Sequence, residues 1–170
     1  YVEMATRHAI FGRPGACYLD MPDDIIGGEC DLDEIVQVER VPEPPRTIAP
    51  TENIEAALDL LEGAERPLAL VGKGMAWAQA EDEVRDFIDR TQIPFVRSPM
   101  GKGVIPDEHP LAASAARTLA LQQADVIFLM GARFNWIFHF GLPPRFAPNA
   151  KVIQLDIAPE EIGHNKPSEV

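Results

Sequence analysis

Four short runs dominated by apolar residues recur through the later part of the chain. They are Pro67-Leu68-Ala69-Leu70-Val71, Ile93-Pro94-Phe95-Val96, Asp125-Val126-Ile127-Phe128-Leu129-Met130 and Val152-Ile153-Gln154-Leu155. Each has the length of a strand and lacks the polar alternation of a half-exposed one, so both of its faces are expected to be buried. Amphipathic segments lie between them. Thr51 is positioned to cap a helix with the stripe Ile54, Ala57, Leu58 and Leu61. A second helix turns Val84, Phe87 and Ile88 inward and Glu81, Asp82, Arg85, Asp86 and Asp89 outward, and a third runs through residues 115–122. Alternation of this kind predicts an α/β fold: an open, doubly wound parallel sheet with helices on both faces, Rossmann-like in its layering. About a dozen residues follow the last run, so the usual closing helix is expected to be missing.

The chain upstream is different. Residues 1–26 hold a helical pattern (Val2, Met4, Ala5, His8, Ala9), the turn Gly12-Arg13-Pro14-Gly15 and a run Ala16-Cys17-Tyr18-Leu19 that reads as a buried strand. That strand has no neighbours nearby in sequence, so the segment reads as the end of another domain. Left uncovered, its edge is expected to drive self-association or to be disordered. Residues 27–50, with Val41-Pro42-Glu43-Pro44-Pro45, read as an extended linker. The regular domain is taken to span 51–170.

Composition narrows the partners. With 15 basic and 27 acidic residues the net charge is −12, a field that repels nucleic-acid backbones. No apolar run approaches the roughly 18 residues of a membrane-spanning helix, and no leader pattern is present. Cys17 and Cys30 lie outside any metal-binding spacing and are expected to be reduced packing residues.

Ligands of open parallel sheets bind beyond the carboxyl ends of the strands. Here those ends carry Gly72-Lys73-Gly74, Met100-Gly101-Lys102-Gly103, Gly131-Ala132-Arg133 and Asp156. Glycine permits close approach of a ligand, Lys73 and Arg133 supply positive charge, and Asp156 suits a ribose hydroxyl pair. Together they predict a nucleotide-sized anion site. Each residue alone also has an ordinary use, since glycine turns chains and loop cations are commonly solvated. The third glycine of a dinucleotide fingerprint is absent, as is GxxxxGK[ST]. His139, within Trp136-Ile137-Phe138-His139-Phe140-Gly141, reads as packed on its neighbours. His8, His109 and His164 read as surface or packing residues, and Asp23-Asp24 and Glu160-Glu161 as solvated pairs. Ser98 and Ser114 have no triad around them.

Several phrases resemble thiamine-diphosphate-dependent enzymes: Gly12-Arg13-Pro14-Gly15-Ala16-Cys17-Tyr18-Leu19-Asp20-Met21-Pro22, Gly72-Lys73-Gly74, Pro99-Met100-Gly101-Lys102-Gly103-Val104-Ile105-Pro106-Asp107, Ala115-Ala116-Arg117 and Gly131-Ala132-Arg133-Phe134-Asn135-Trp136-Ile137. The resemblance is strongest to 2-hydroxyacyl-CoA lyases, with oxalyl-CoA decarboxylases next. His139-Phe140-Gly141-Leu142-Pro143-Pro144 looks particularly like the lyase branch.

By that resemblance, residues 1–26 end a pyrimidine-binding domain and 51–170 form a central domain that holds the ADP part of coenzyme A or an ADP effector. Arg13, Lys73 and Arg133 are then expected on phosphates, Arg117 on a phosphate or the adenine end, Asp156 on the ribose and Ile157 on the adenine ring. The family's catalytic glutamate and its Gly-Asp-Gly metal motif are absent. Thiamine diphosphate and Mg2+ are therefore expected in the intact enzyme but not on this chain, which alone is expected to catalyse nothing. Implied partners are a CoA thioester or ADP, the N- and C-terminal domains and further copies in a homo-oligomer. The implied compartment is the cytoplasm, or the peroxisome in an animal. An acetolactate-synthase-like enzyme, where the same domain holds FAD, and a non-catalytic binding or oligomerisation module remain open.

Overall fold

A computed structural model describes residues 1–36 and 40–170, and these divide into two units, Tyr1–Arg46 and Thr47–Val170. The first unit holds helix α1 (Val2–Ile10), the four-residue helix α2 (Asp23–Ile26) and a 3-10 turn at Leu32–Glu34. None of its described residues is buried. The run at 16–19 is not a strand, and Tyr18 is 90% exposed. A strand needs a ladder partner for its N–H and C=O groups, and none is provided among the described residues of this unit. Cys17 and Cys30 are free and exposed rather than packed.

In the second unit, helix α3 (Thr51–Glu62) leads to strand β1 (Pro67–Val71). Two helices follow, α4 (Lys73–Trp77) and α5 (Glu81–Thr91), and then β2 (Phe95–Arg97). The chain continues through α6 (Arg117–Gln123), β3 (Val126–Met130) and β4 (Lys151–Leu155). All four strands are parallel and lie in the order β2-β1-β3-β4. The expected open α/β sheet is therefore what forms. No α-helix follows β4.

Each face of the sheet has its own core. One gathers Ala69, Val71, Val84, Ile88, Phe95, Val104, Ile105 and Ile153, the other Leu68, Leu70, Val96, Leu121, Ile127, Leu129, Phe138 and Phe146. Alternate residues of β1 serve opposite faces, as the period of two requires. The stripe assigned to α3 is rotated, however. Ile54 and Leu58 are exposed, while Ala57, Leu60, Leu61 and Ala64 pack on the core. Of the stripe, Ala57 and Leu61 face inward as expected, and Leu60 joins them in place of Ile54 and Leu58. Pro50, not Thr51, occupies the N-cap position, since its fixed backbone dihedral already sets the entry to the helix.

The outer edges of the sheet are covered by irregular chain. Beside β2, Phe95 N–H donates to Leu111 O at 3.0 Å and Ala113 N–H to Phe95 O at 2.9 Å. Beside β4, Glu169 N–H donates to Val152 O at 2.8 Å and Gln154 N–H to Val170 O at 2.9 Å.

Candidate functional site

With β1 and β3 adjacent at the centre of the sheet, the chain leaves β1 toward β2 on one side and β3 toward β4 on the other. This is the topological switch point, where open sheets hold ligands at their carboxyl ends. The backbone continues to pair beyond the strands. Gly72 N–H donates to Met130 O at 2.9 Å, Gly74 N–H to Gly131 O at 3.0 Å and Gly131 N–H to Leu155 O at 2.9 Å. The residues that follow β1 and β3 are thus joined to each other and to the end of β4 along one rim.

The glycines have a different use from the one expected. A Cβ on Gly74 would stand 2.6 Å from Gly131 Cα, and one on Gly131, whose φ is +56°, 2.7 Å from Gly74 Cα. A Cβ on Gly72 would overlap the carbonyl of Gly131, and one on Gly101 that of Val71. These positions are glycine because backbone meets backbone, seating α4 directly on the strand ends. Gly72 and Gly74 spend their N–H groups on β3 and Gly131. Any phosphate at this rim must therefore be held chiefly by side chains.

Those side chains are differently placed. Lys73 is half-buried at the start of α4, and its ammonium makes no hydrogen bond or ion pair with a described residue. Arg133, two residues beyond Gly131, is 45% exposed and pairs through its NH1 nitrogen with Glu161, whose side chain is only 9% exposed. The Asp156 carboxylate accepts from Ala158 N–H at 2.9 Å, shaping the turn after β4, and Ile157 beside it is half-exposed.

Arg117 is committed elsewhere. Its guanidinium donates to Ile137 O at 2.9 Å and lies 5.1 Å from the centre of the Phe138 ring. Burial, and behind it repulsion from Arg145, pulls its pKa below the usual arginine value. It fixes the 3-10 segment Trp136–Gly141, which bears on the expectation that it meets a ligand. Arg13 lies in the first unit, exposed in the turn after α1 beside Gly12, whose φ is +62°. Lys102 is also engaged, 3.4 Å from Asp107. Asp107 pairs with Arg97 as well, and Arg97 first and Lys102 after it hold its carboxyl below the ordinary aspartate range.

Two expectations need correction. His139 is exposed with φ +48° rather than packed on its neighbours, because the chain turns outward between the buried Phe138 and Gly141. The Glu160-Glu161 pair is not simply solvated, since Glu161 is buried and bound to Arg133. Sequence reasoning missed Glu161, and with it Gln154, the buried amide of β4. Gln154 donates from Nε2 to Glu161 O at 2.8 Å and accepts at Oε1 from Gly163 N–H at 3.0 Å. A glutamine inside an apolar strand was the visible signal.

Two open depressions of about 520 and 270 Å3 lie at the opposite, amino-terminal edge of the sheet. Their walls include Arg66, Asp125 and Asn149, and Asp59, Asp125 and Lys151 respectively. Among the described residues, no three His, Cys, Asp or Glu side chains converge as metal ligands. No helix among those residues is long and apolar enough to cross a membrane.

Residues 54–170 match the central domain of thiamine pyrophosphate enzymes. The chain is 48% identical over 164 residues to the human protein 2-hydroxyacyl-CoA lyase 1, covering 96% of this chain and 28% of that one. It is 42% identical over 165 residues to the oxalyl-CoA decarboxylase of Escherichia coli K12, covering 96% and 29%. Against the acetolactate synthase of Mycobacterium leprae the identity is 34% over 166 residues, covering 94% and 26%. The chain thus spans less than a third of the length of these relatives.

Proposed function

This chain belongs to the thiamine pyrophosphate enzymes as their central domain, and we propose that its carboxyl rim binds the adenosine diphosphate end of a coenzyme A thioester. The observation that carries this reading is the joining of three strand ends along one rim. Lys73, Arg133 and Asp156 follow the ends of β1, β3 and β4 in the chain, and Lys73 makes no hydrogen bond or ion pair with a described residue. In an acidic protein such a grouping of cations suits a diphosphate, and a carboxylate beside it suits ribose hydroxyls. Ile157 offers an apolar surface for the adenine ring. We assign Lys73 and Arg133 to the phosphates. Arg117 acts only indirectly, by holding the segment 136–141 through its bond to Ile137.

For the whole enzyme, we infer cleavage of the C1–C2 bond of a 2-hydroxyacyl-CoA. Thiamine diphosphate, with Mg2+, supplies the electron sink for that chemistry when bound by the other domains. The part of this chain is to grip the remote handle of the substrate, so that binding energy orients the reacting end. The higher identity to the human lyase than to the decarboxylase supports that branch.

Thermal unfolding of this chain with ADP, CoA, FAD or adenosine tests the proposal. ADP and CoA at a hundredfold excess over Kd stabilise by about 2.7 kcal/mol, and Lys73→Ala removes most of the shift. Absence of any shift with both ADP and CoA, or an undiminished shift in Lys73→Ala, overturns it.

A further inference from the structure

Glu161 is the most deeply buried carboxylate on the carboxyl rim, and its surroundings are specific. Its side chain is 9% exposed and takes the NH1 nitrogen of Arg133, which is itself 45% exposed. Its main chain is fixed from beneath, because the buried Gln154 of β4 clamps both Glu161 O and Gly163 N–H. His164 approaches the other carboxylate oxygen, with its Nδ1 at 3.8 Å. The Arg133–Glu161 pair therefore has a rigid, buried half anchored to the sheet and a half-exposed cationic half.

We propose that Glu161 is a positioning residue for Arg133, setting the direction in which the guanidinium faces a phosphate at the rim. This rests on the reading of the rim as an ADP site. A guanidinium carries five donors in a planar fork. Spending one nitrogen on a fixed carboxylate leaves further donors on the half-exposed guanidinium for phosphate oxygens. A long side chain free in solvent would lose its rotamer freedom when the ligand arrived, whereas one already held does not. Truncating Arg133 would strand a buried carboxylate and disturb the fold. The informative change is therefore on the other partner.

The experiment measures the affinity of the chain and of Glu161→Gln for ADP and for adenosine by titration calorimetry, with unfolding of each protein followed without ligand. Glutamine keeps the shape of the turn and removes the charge that holds the fork. The expected result is an ADP Kd raised about 5–10-fold with adenosine unchanged. Equal weakening of both ligands indicates a merely structural role and overturns the proposal. So does an ADP Kd within twofold of the parent, or a tighter one. If Glu161→Gln does not fold, Glu161→Asp, which keeps the charge but retracts it by one methylene, is read in the same way. A parent chain that binds no ADP overturns both this inference and the reading beneath it. One that binds ADP while the variants match it overturns this inference alone.

Discussion

Gly12 and Gly131 adopt nearly the same left-handed backbone, with φ of +62° and +56°, in two very different settings. Around Gly12 a Cβ would meet nothing within 4 Å, while around Gly131 it would strike the backbone of Gly74 and Met75. The contrast extends to the units that contain them. Among the described residues of 1–46 none is buried, whereas 47–170 builds two cores around one sheet. A local motif such as Gly-Arg-Pro-Gly can thus keep its shape with little packing around it. A motif on the sheet is constrained by every neighbouring strand.

Truncation sharpens this contrast most. Phe95→Ala, at a fully buried site on β2, is expected to cost about 3–5 kcal/mol, and Tyr18→Ala less than about 0.5 kcal/mol, both read from urea unfolding. Equal losses would break the distinction between the units. The glycine pair comes next. Gly131→Ala combines left-handed strain with overlap and is expected to cost about 3 kcal/mol, against about 1 kcal/mol for Gly12→Ala.

A smaller effect is expected at Asp125, where β3 begins. Its carboxylate accepts from Glu65 N–H at 2.8 Å and Arg66 N–H at 2.9 Å. Burial pushes its pKa up, but the backbone donors together outweigh this and leave it below the ordinary aspartate value. A depressed folded pKa means that its stabilisation is present above about pH 4 and fades as pH falls toward the folded value. Asp125→Asn is expected to cost about 1–2 kcal/mol at pH 7, and the difference from the parent should shrink below pH 4. A gap constant with pH would show that charge plays no part.

The smallest effect separates the units by dynamics. Amides of β1 and β3 should exchange with solvent at rates set by global unfolding, and those of α1 much faster. Comparable protection would mean that the first unit is held as firmly as the sheet.

The sheet was legible in the sequence because residues 67–71 and 126–130 admit few alternatives to burial on both faces. The run at 16–19 looked similar, but a strand is a relation between chains, and no local pattern supplies the partner. The α3 stripe went astray in part. Of its four residues Ala57 and Leu61 face the core, while the helix turns Leu60 inward and leaves Ile54 and Leu58 outside. At the candidate site the sequence placed Lys73, Arg133 and Asp156 just beyond the carboxyl ends of apolar runs, and those runs are β1, β3 and β4. What sequence could not reveal was occupancy. The glycines face backbone, Arg117 is spent on Ile137, and the partner of Arg133 lies 28 residues away.

The strips of irregular chain flanking β2 and β4 have a consequence for assembly. Because Phe95 at one border and Val152 and Gln154 at the other already bond to residues 111–113 and 169–170, a second copy finds less template for extending the ladder at those points. Strand-to-strand growth of the sheet by a further copy would first have to displace these segments, so the irregular chain acts as a guard on the open edges.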